Sequence, residues 1–419
     1  MALGAGAQCA GAVEYAPLDR PGPAFSVPAA DLAGSLVCTD DVRNATREPV
    51  LLVPATTVDS RENFSWNYEP ALQAQHIPHC TTDQHGDLAK NMGDMQTRGE
   101  YLVYAIRKMH ELAGRRIAIV GHSQGGMIMR WALRFWPDTR AMVEDVVGMA
   151  GTNHGSTAIN TICLPGCSAS LYQQSADSNW TAALNSGQET FSGIDYTEIY
   201  SHTDEFVQPN TTPFGTSSLH GPGAIANVAL QDICPGDLNE HLFIGTVDTA
   251  AWALVLDAVT HSGPAVPARI DRAVCNQPLM PGFDPVTGPA SLAEAAAQVV
   301  RQLSLATHAP GEPALRCYVL ASCHATSAGT PAPVARRMTV SVSPRSLRHG
   351  HTTTITIRAR TLGSAGRPVD ARVAALGRQA RLGSDGRGVL RLHPVRSGRR
   401  TLTVTAAGYR TVRIILMVR

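Results

Sequence analysis

The sequence predicts an α/β protein with a mostly parallel sheet, followed by a small all-β, Ig-like sandwich. Three observations carry that expectation. Short apolar runs alternate with segments of helical period along most of the chain. One such run, Ile117 to Val120, passes through Gly121-His122-Ser123-Gln124-Gly125-Gly126 directly into a helix-like stretch. Near Ala332 the texture then changes to short alternating strands, and the charge reverses with it. From Pro333 onward there are 18 arginines, no lysine and 2 aspartates, a net +16, which leaves −15 on the rest of a chain whose total is +1. Regions of opposite sign indicate separate domains. The expected division is a catalytic domain over 1–324, a linker over 325–337 and a basic sandwich over 338–419.

The elements follow in order. The N-terminus has small residues but no basic segment and only a stub of apolar sequence, so it does not read as an intact signal peptide. "PVLLVPATT" (Pro49–Thr57) is a buried strand running into a loop. Tyr101, Leu102, Ala105, Ile106, Met109 and Leu112 recur at helical spacing. "RRIAIVG" is the next strand, and the helix after Ser123 follows it. Further strands are expected at Val143–Gly151, Thr197–Ser201 and Ile225–Ile233. Apolar strands alternating with helices imply a parallel sheet covered on both faces. "HATSAGTPAPVARR" is small, proline-containing and without period, and reads as a linker. Beyond it, runs such as "TTTITIRAR" and "RTLTVTAAG" alternate apolar and polar residues, and Asp385-Gly386 supplies a turn signal. No run approaches the roughly 20 apolar residues of a membrane-spanning helix, so no transmembrane segment is expected.

Gly121-x-Ser123-x-Gly125 has the form of a nucleophile elbow. The turn from strand to helix is so tight that neighbours must be small, and the serine hydroxyl stands clear of the sheet. Gln124 opens the helix, so its N–H can face a developing oxyanion. Thr56, in the loop after "LLVP", is placed to give a second donor, with its hydroxyl as a third. Asp204 follows the strand "TEIYS", with Asp195 and Asp237 as rivals for the acid. His241 follows the last strand of the domain, with His220 and His261 as rivals for the base. In the order Ser123, Asp204, His241 the aspartate would hold the tautomer of the imidazole that takes the serine proton. His154, in "TNHGS", either lines the cleft or is a hydrogen-bonded loop residue. His76, His79, Cys80 and His85 lie close together, but no paired CxxC pattern accompanies them and Cys80 is better used in a disulfide. No metal and no cofactor are expected.

With these motifs in place the chain resembles the Candida antarctica lipase B-like family of α/β-hydrolase lipases. The resemblance runs from about Pro23 to Cys323. It rests on "PAFSVP", "LLVPAT", "SQGG", "WALRFWP" and "YSHTDEFVQP", and on the positions of Cys38, Cys80, Cys234 and Cys275. It implies a triad of Ser123, Asp204 and His241, an oxyanion hole of Thr56 and Gln124, and disulfides Cys38–Cys80 and Cys234–Cys275. Departures from the family are equally specific. Gly121-His122 replaces Thr-Trp, and that tryptophan floors the family's alcohol pocket, so His122 stands where alcohol selectivity is decided. Ala55 replaces a glycine beside the oxyanion threonine. Cys163 and Cys167 fall where the family carries a mobile cover, and a bridge between them would stiffen it. Cys317 and Cys323 pair plausibly at a spacing unlike the family's last bridge.

Nine cysteines scattered through the first domain favour disulfides and an oxidising, extracellular setting, with Cys9 the odd one over. The expected function is that of a secreted lipase or esterase, acting as a monomer through an acyl-serine intermediate. Two alternatives are a cutin- or polyester-type hydrolase that docks through the sandwich, and a non-catalytic binding protein. The arginine-rich domain suits a surface or an anionic polymer, or is simply a solvated face. Nucleic acid is not an expected partner, because Tyr409 is the domain's lone aromatic residue and offers no stacking platform.

Overall fold

The computed structural model describes residues 13–84, 90–211, 215–305, 309–323, 338–361, 371–406 and 412–419. Cys9, His85, Tyr409 and the expected linker 325–337 lie outside them. The chain divides into two compact units, Met1–His324 and Ala325–Arg419.

The first unit is built on seven strands: β1 (Leu36–Cys38), β2 (Val50–Val53), β3 (His79–Thr82), β4 (Ile117–His122), β5 (Val143–Met149), β6 (Asp195–Tyr200) and β7 (Ala224–Ala229). Their order across the sheet is β1-β3-β2-β4-β5-β6-β7. All neighbours run parallel except β1, which is antiparallel to β3. Leu51, Val53, Ile117 and Ile119 pack to one face, against Leu102, Ile106, Met109 and Trp131. Those four side chains belong to the helices Met95–Ala113 and Gln124–Phe135. Val50, Leu52, Ala118 and Val120 pack to the other face, against Leu72, Trp252 and Leu254. A strand buried on both sides needs apolar residues at every position, which is why these runs show no alternation. The segment His241–Thr260 is long and apolar enough to cross a membrane, but it lies mostly buried inside this unit.

Two parts of the sheet differ from the sequence expectation. β1 and β3 are too short to show a period; Cys38 and Cys80 are register partners on them and are joined by a disulfide. The last strand stops at Ala229 rather than Ile233. There the Ala229 N–H donates to Asp232 Oδ2 at 3.1 Å, and Leu230–Ile233 closes into a helical turn. Three more disulfides, Cys163–Cys167, Cys234–Cys275 and Cys317–Cys323, complete the cross-links among the described residues.

The second unit is all-β, with strands β8 (Met338–Ser343), β9 (Ser346–Leu347), β10 (Thr353–Thr361), β11 (Arg372–Ala375), β12 (Arg378–Arg381), β13 (Arg387–Leu392), β14 (Gly398–Thr405) and β15 (Val412–Val418). They form a three-stranded sheet, β13-β10-β8, and a five-stranded one, β12-β11-β14-β15-β9. Every pair is antiparallel except β15 with β9. Ile355, Ile357 and Leu390 from the first sheet share one core with Val373, Leu402, Val404 and Leu416 from the second. Alternate residues on the same strands are polar or charged, so the period of two seen in the sequence is the period of burial.

Candidate active site

Ser123 sits between the end of β4 and the helix Gln124–Phe135 with φ 54°. That left-handed conformation is costly for any residue with a side chain, so the surroundings have to impose it. The glycines around it are required by contact. A Cβ at Gly121 would lie 2.3 Å from the Gly125 carbonyl, and one at Gly125 would lie 2.0 Å from the Val53 carbonyl oxygen. No side chain fits at either position without moving β2 or the helix.

Three strand ends deliver three side chains to this point. Asp204 lies in the loop after β6, and His241 opens the short helix His241–Ile244 beyond β7. The Ser123 hydroxyl donates to His241 Nε2 at 2.9 Å, and His241 Nδ1–H donates to Asp204 Oδ2 at 2.8 Å. A carboxylate only accepts, which fixes the proton on Nδ1 and leaves Nε2 free to receive one. Asp204 is fully buried, and its other oxygen accepts the N–H groups of Phe206 and Val207 at 2.9 and 2.8 Å. Burial opposes the charged imidazole of His241, but Asp204, then Glu205 and Glu240, outweigh it, and its pKa stands above the ordinary histidine value.

Thr56 lies beside the serine on the wall of the same cavity. Its Oγ accepts from Gln124 Nε2 and from Gln174 Nε2, each at 3.0 Å. Both lone pairs of the hydroxyl are taken, so its own proton has to point elsewhere. Gln124 carries the first backbone N–H of its helix, one of those left without an intrahelical acceptor.

The cavity has a volume of about 310 Å³ and reaches Ser123 and His241 between largely apolar walls. Ile159, Ile162 and Leu171 form one side; Val299, Val300 and Leu303, on the helix Gly288–Leu305, form another. Cys163 caps the helix Thr157–Ile162, so the Cys163–Cys167 bridge pins the end of the element that carries Ile159 and Ile162. Glu62, Glu205 and Glu240 also touch the cavity.

The other candidates fall elsewhere. His122 borders the cavity but is only 2% exposed. Its Nε2–H donates to the His241 carbonyl at 2.9 Å, and a Cβ at Gly245 would strike its ring. Burial, then the neighbouring His241, drive its pKa down to about 3, so it is a neutral imidazole packed beside His241. His154, for which the sequence leaves a cleft-lining and a loop reading both open, is not among the residues lining this cavity. Its ring is held by Glu189 Oε1 at 2.9 Å and by the Thr216 carbonyl at 3.0 Å. Of the rival acids, Asp195 opens β6 at the opposite end of that strand, and Asp237 accepts the Asn239 N–H. Of the rival bases, His220 faces Glu189 and His261 faces Asp257. Sequence reasoning missed Gln174, Arg98 and the helix Gly288–Leu305. Only the last had a signal, in its alanine-rich composition.

Residues 48–233 match the family described as Lipase (class 2). Lipase B of Pseudozyma antarctica is 30% identical over 217 residues, 51% of this chain and 61% of that protein. Triacylglycerol lipase of Pseudomonas fragi is 28% identical over 118 residues, 28% of this chain and 38% of that protein. The chain thus spans less than two thirds of both curated relatives. The crystal structure of Aspergillus fumigatus lipase B superposes with a TM-score of 0.63 at 26% identity, covering 72% of this chain and 75% of that one. With its mostly parallel sheet and its serine elbow, the first unit has the α/β-hydrolase fold and is similar to the lipase B-like lipases.

Proposed function

We propose that the protein is a secreted serine carboxylester hydrolase of the lipase or esterase type, acting on acyl esters such as acylglycerols. The observation that carries this is the hydrogen-bonded chain Ser123–His241–Asp204 opening onto an apolar cavity. His241 takes the Ser123 proton as the hydroxyl oxygen attacks the ester carbonyl. The carbonyl oxygen becomes an oxyanion held by the backbone N–H groups of Thr56 and Gln124 and by the Thr56 hydroxyl. His241 then returns the proton to the leaving alcohol, and an acyl-serine remains. Water, deprotonated by His241, attacks this ester in turn and releases the acid. The apolar walls suit an aliphatic acyl group, and the four disulfides suit an extracellular enzyme. A fluorophosphonate should label the protein once, at Ser123, in parallel with loss of p-nitrophenyl ester hydrolysis. Absence of a Ser123 adduct in the folded protein would favour the non-catalytic binding reading.

A second reading concerns the basic unit. Arg358 and Arg387 are register partners on β10 and β13, with Arg360 two positions on, while Ile355, Ile357 and Leu390 point into the core. Like charges directly opposite on a sheet repel. Arg360 first, then desolvation and Arg387, hold the Arg358 pKa below its ordinary value, against the opposing pull of Asp385. The net +16 carried from Pro333 onward favours an anionic partner, so we propose that this unit docks the enzyme on anionic or polymeric ester substrates. Deleting residues beyond Ala332 should lower activity on such particulate substrates and leave soluble esters unaffected. Equal loss on both would count against docking.

A further inference from the structure

Behind the oxyanion threonine lies a charge that the catalytic steps above do not use. Arg98, in the first turn of the helix Met95–Ala113, is only 4% exposed. A cation in the first turn of a helix faces the unfavourable end of the dipole, and a buried one also loses its water. No carboxylate forms an ion pair with it among the described residues; Asp83 acts on it only through space. Its hydrogen bonds go to two neutral oxygens instead. Nη1 donates to the Gln124 side-chain Oε1, and Nη2 donates to the Pro54 carbonyl. Burial lowers its pKa to about 9, so it remains charged at neutral pH.

Those two acceptors belong to the two segments that meet at the oxyanion position. Pro54 precedes Ala55 and Thr56 on the loop after β2, and Gln124 opens the helix after Ser123. A guanidinium only donates, so the Gln124 amide has to present oxygen to it and nitrogen to the other side. On that side Nε2 donates to Thr56 Oγ at 3.0 Å and to the Asn91 carbonyl at 3.0 Å. Gln174 Nε2 supplies the second donor to Thr56 Oγ. Its own orientation is fixed because Thr152 Oγ donates to Gln174 Oε1 at 3.1 Å. A Gln124 amide turned by half a rotation would offer Thr56 an acceptor, and the hydroxyl proton would swing toward it.

We propose that Arg98 is a positioning residue for the oxyanion site: it locks the Gln124 amide and the Pro54 carbonyl, and so aims the Thr56 hydroxyl proton into the cavity with a positive charge behind it. The hydrogen bonds run in one direction, from guanidinium to amide to hydroxyl to oxyanion, and each polarises the next. The charge is buried and fixed before the reaction begins, so it needs no reorganisation as the oxyanion forms. The ground-state ester carbonyl carries less charge than the oxyanion and gains less from it, so the effect falls on turnover more than on binding. This rests on Ser123 being the acylated nucleophile.

The test is a double-mutant cycle on the full chain. Arg98→Met should lower kcat on a soluble p-nitrophenyl ester by about 10- to 100-fold with KM within about threefold, the pattern of a lost transition-state contact. Thr56→Val removes the hydroxyl, and in that background Arg98→Met should cost less than about threefold, because the relay has lost its last member. Arg98→Lys keeps the charge but not the two-pronged donor, and should fall between wild type and Arg98→Met. Should Arg98→Met fail to fold, the same cycle is read with Arg98→Lys. Full cost of the Arg98 substitution in the Thr56→Val background, or an unchanged kcat, overturns the proposal. Persistence of activity in Ser123→Ala would instead overturn the underlying function.

Discussion

Replacing Ser123 by alanine should reduce kcat on a p-nitrophenyl ester by on the order of 10⁵-fold, while the melting temperature stays close to that of the wild type. The change removes one oxygen. Alanine meets the same backbone strain at φ 54°, because that conformation is imposed by β4 and the helix around it. His241 loses one partner but keeps Asp204 at 2.8 Å. The cavity walls are untouched, so substrate still binds and KM should change little. Hydrolysis that remains comes from water attacking an ester held beside the oxyanion donors. Wild-type activity in the variant, measured on protein free of wild-type contamination, would remove Ser123 from the mechanism.

Asp204→Asn should cost about 10⁴-fold in kcat by a different route. The asparagine oxygen can still accept the Phe206 and Val207 N–H groups, so the loop should keep its shape. Its amide nitrogen would then face His241 Nδ1 and demand an acceptor there. The imidazole changes tautomer, and Nε2 presents a proton to Ser123 instead of a lone pair. The pH profile should move as well. The raised pKa of His241 places the acid limb of kcat/KM above the ordinary histidine value, since the base works only when neutral. Without the Asp204 charge that limb should shift to lower pH. Stability moves the opposite way from activity. A pKa raised by folding stabilises the protein fully below the unfolded histidine value of about 6.5, and the contribution is lost as pH rises through the folded value. The wild type should thus gain activity over the interval in which it gives up this ion pair. An acid limb at the same pH in both proteins would show that some other group titrates.

The candidate site was legible where chemistry dictates residue type next to a recognisable turn. Ser123 is framed by glycines that nothing larger can replace, and Asp204 follows a strand that an apolar run reveals. Gln174 and Arg98 had no such frame. Arg98 lies in a helix whose sequence reports only its own period and Gln174 caps the end of another, and each acquires meaning from an oxygen brought in by a distant segment: Thr56 for Gln174, and Pro54 with Gln124 for Arg98. His154 stayed ambiguous for the complementary reason. It stands at a strand end on the right rim, but Glu189, 35 positions away, captures its ring. In the fold, the long buried strands announced themselves, whereas β1 and β3 are short pieces defined by pairing and a disulfide. The stop at Ala229 turned on one carboxylate, Asp232, which no apolar pattern records.

Glu205 and Glu240 place two acidic side chains on the wall of the cavity that the proposed reaction would use. An ester cleaved there would leave an acid that ionises at neutral pH beside those two side chains. Once its proton is gone such a product should be repelled and leave readily, and product inhibition by the anion should be weak. By the same repulsion, the reverse reaction, ester synthesis, should accept the protonated acid in preference to its anion.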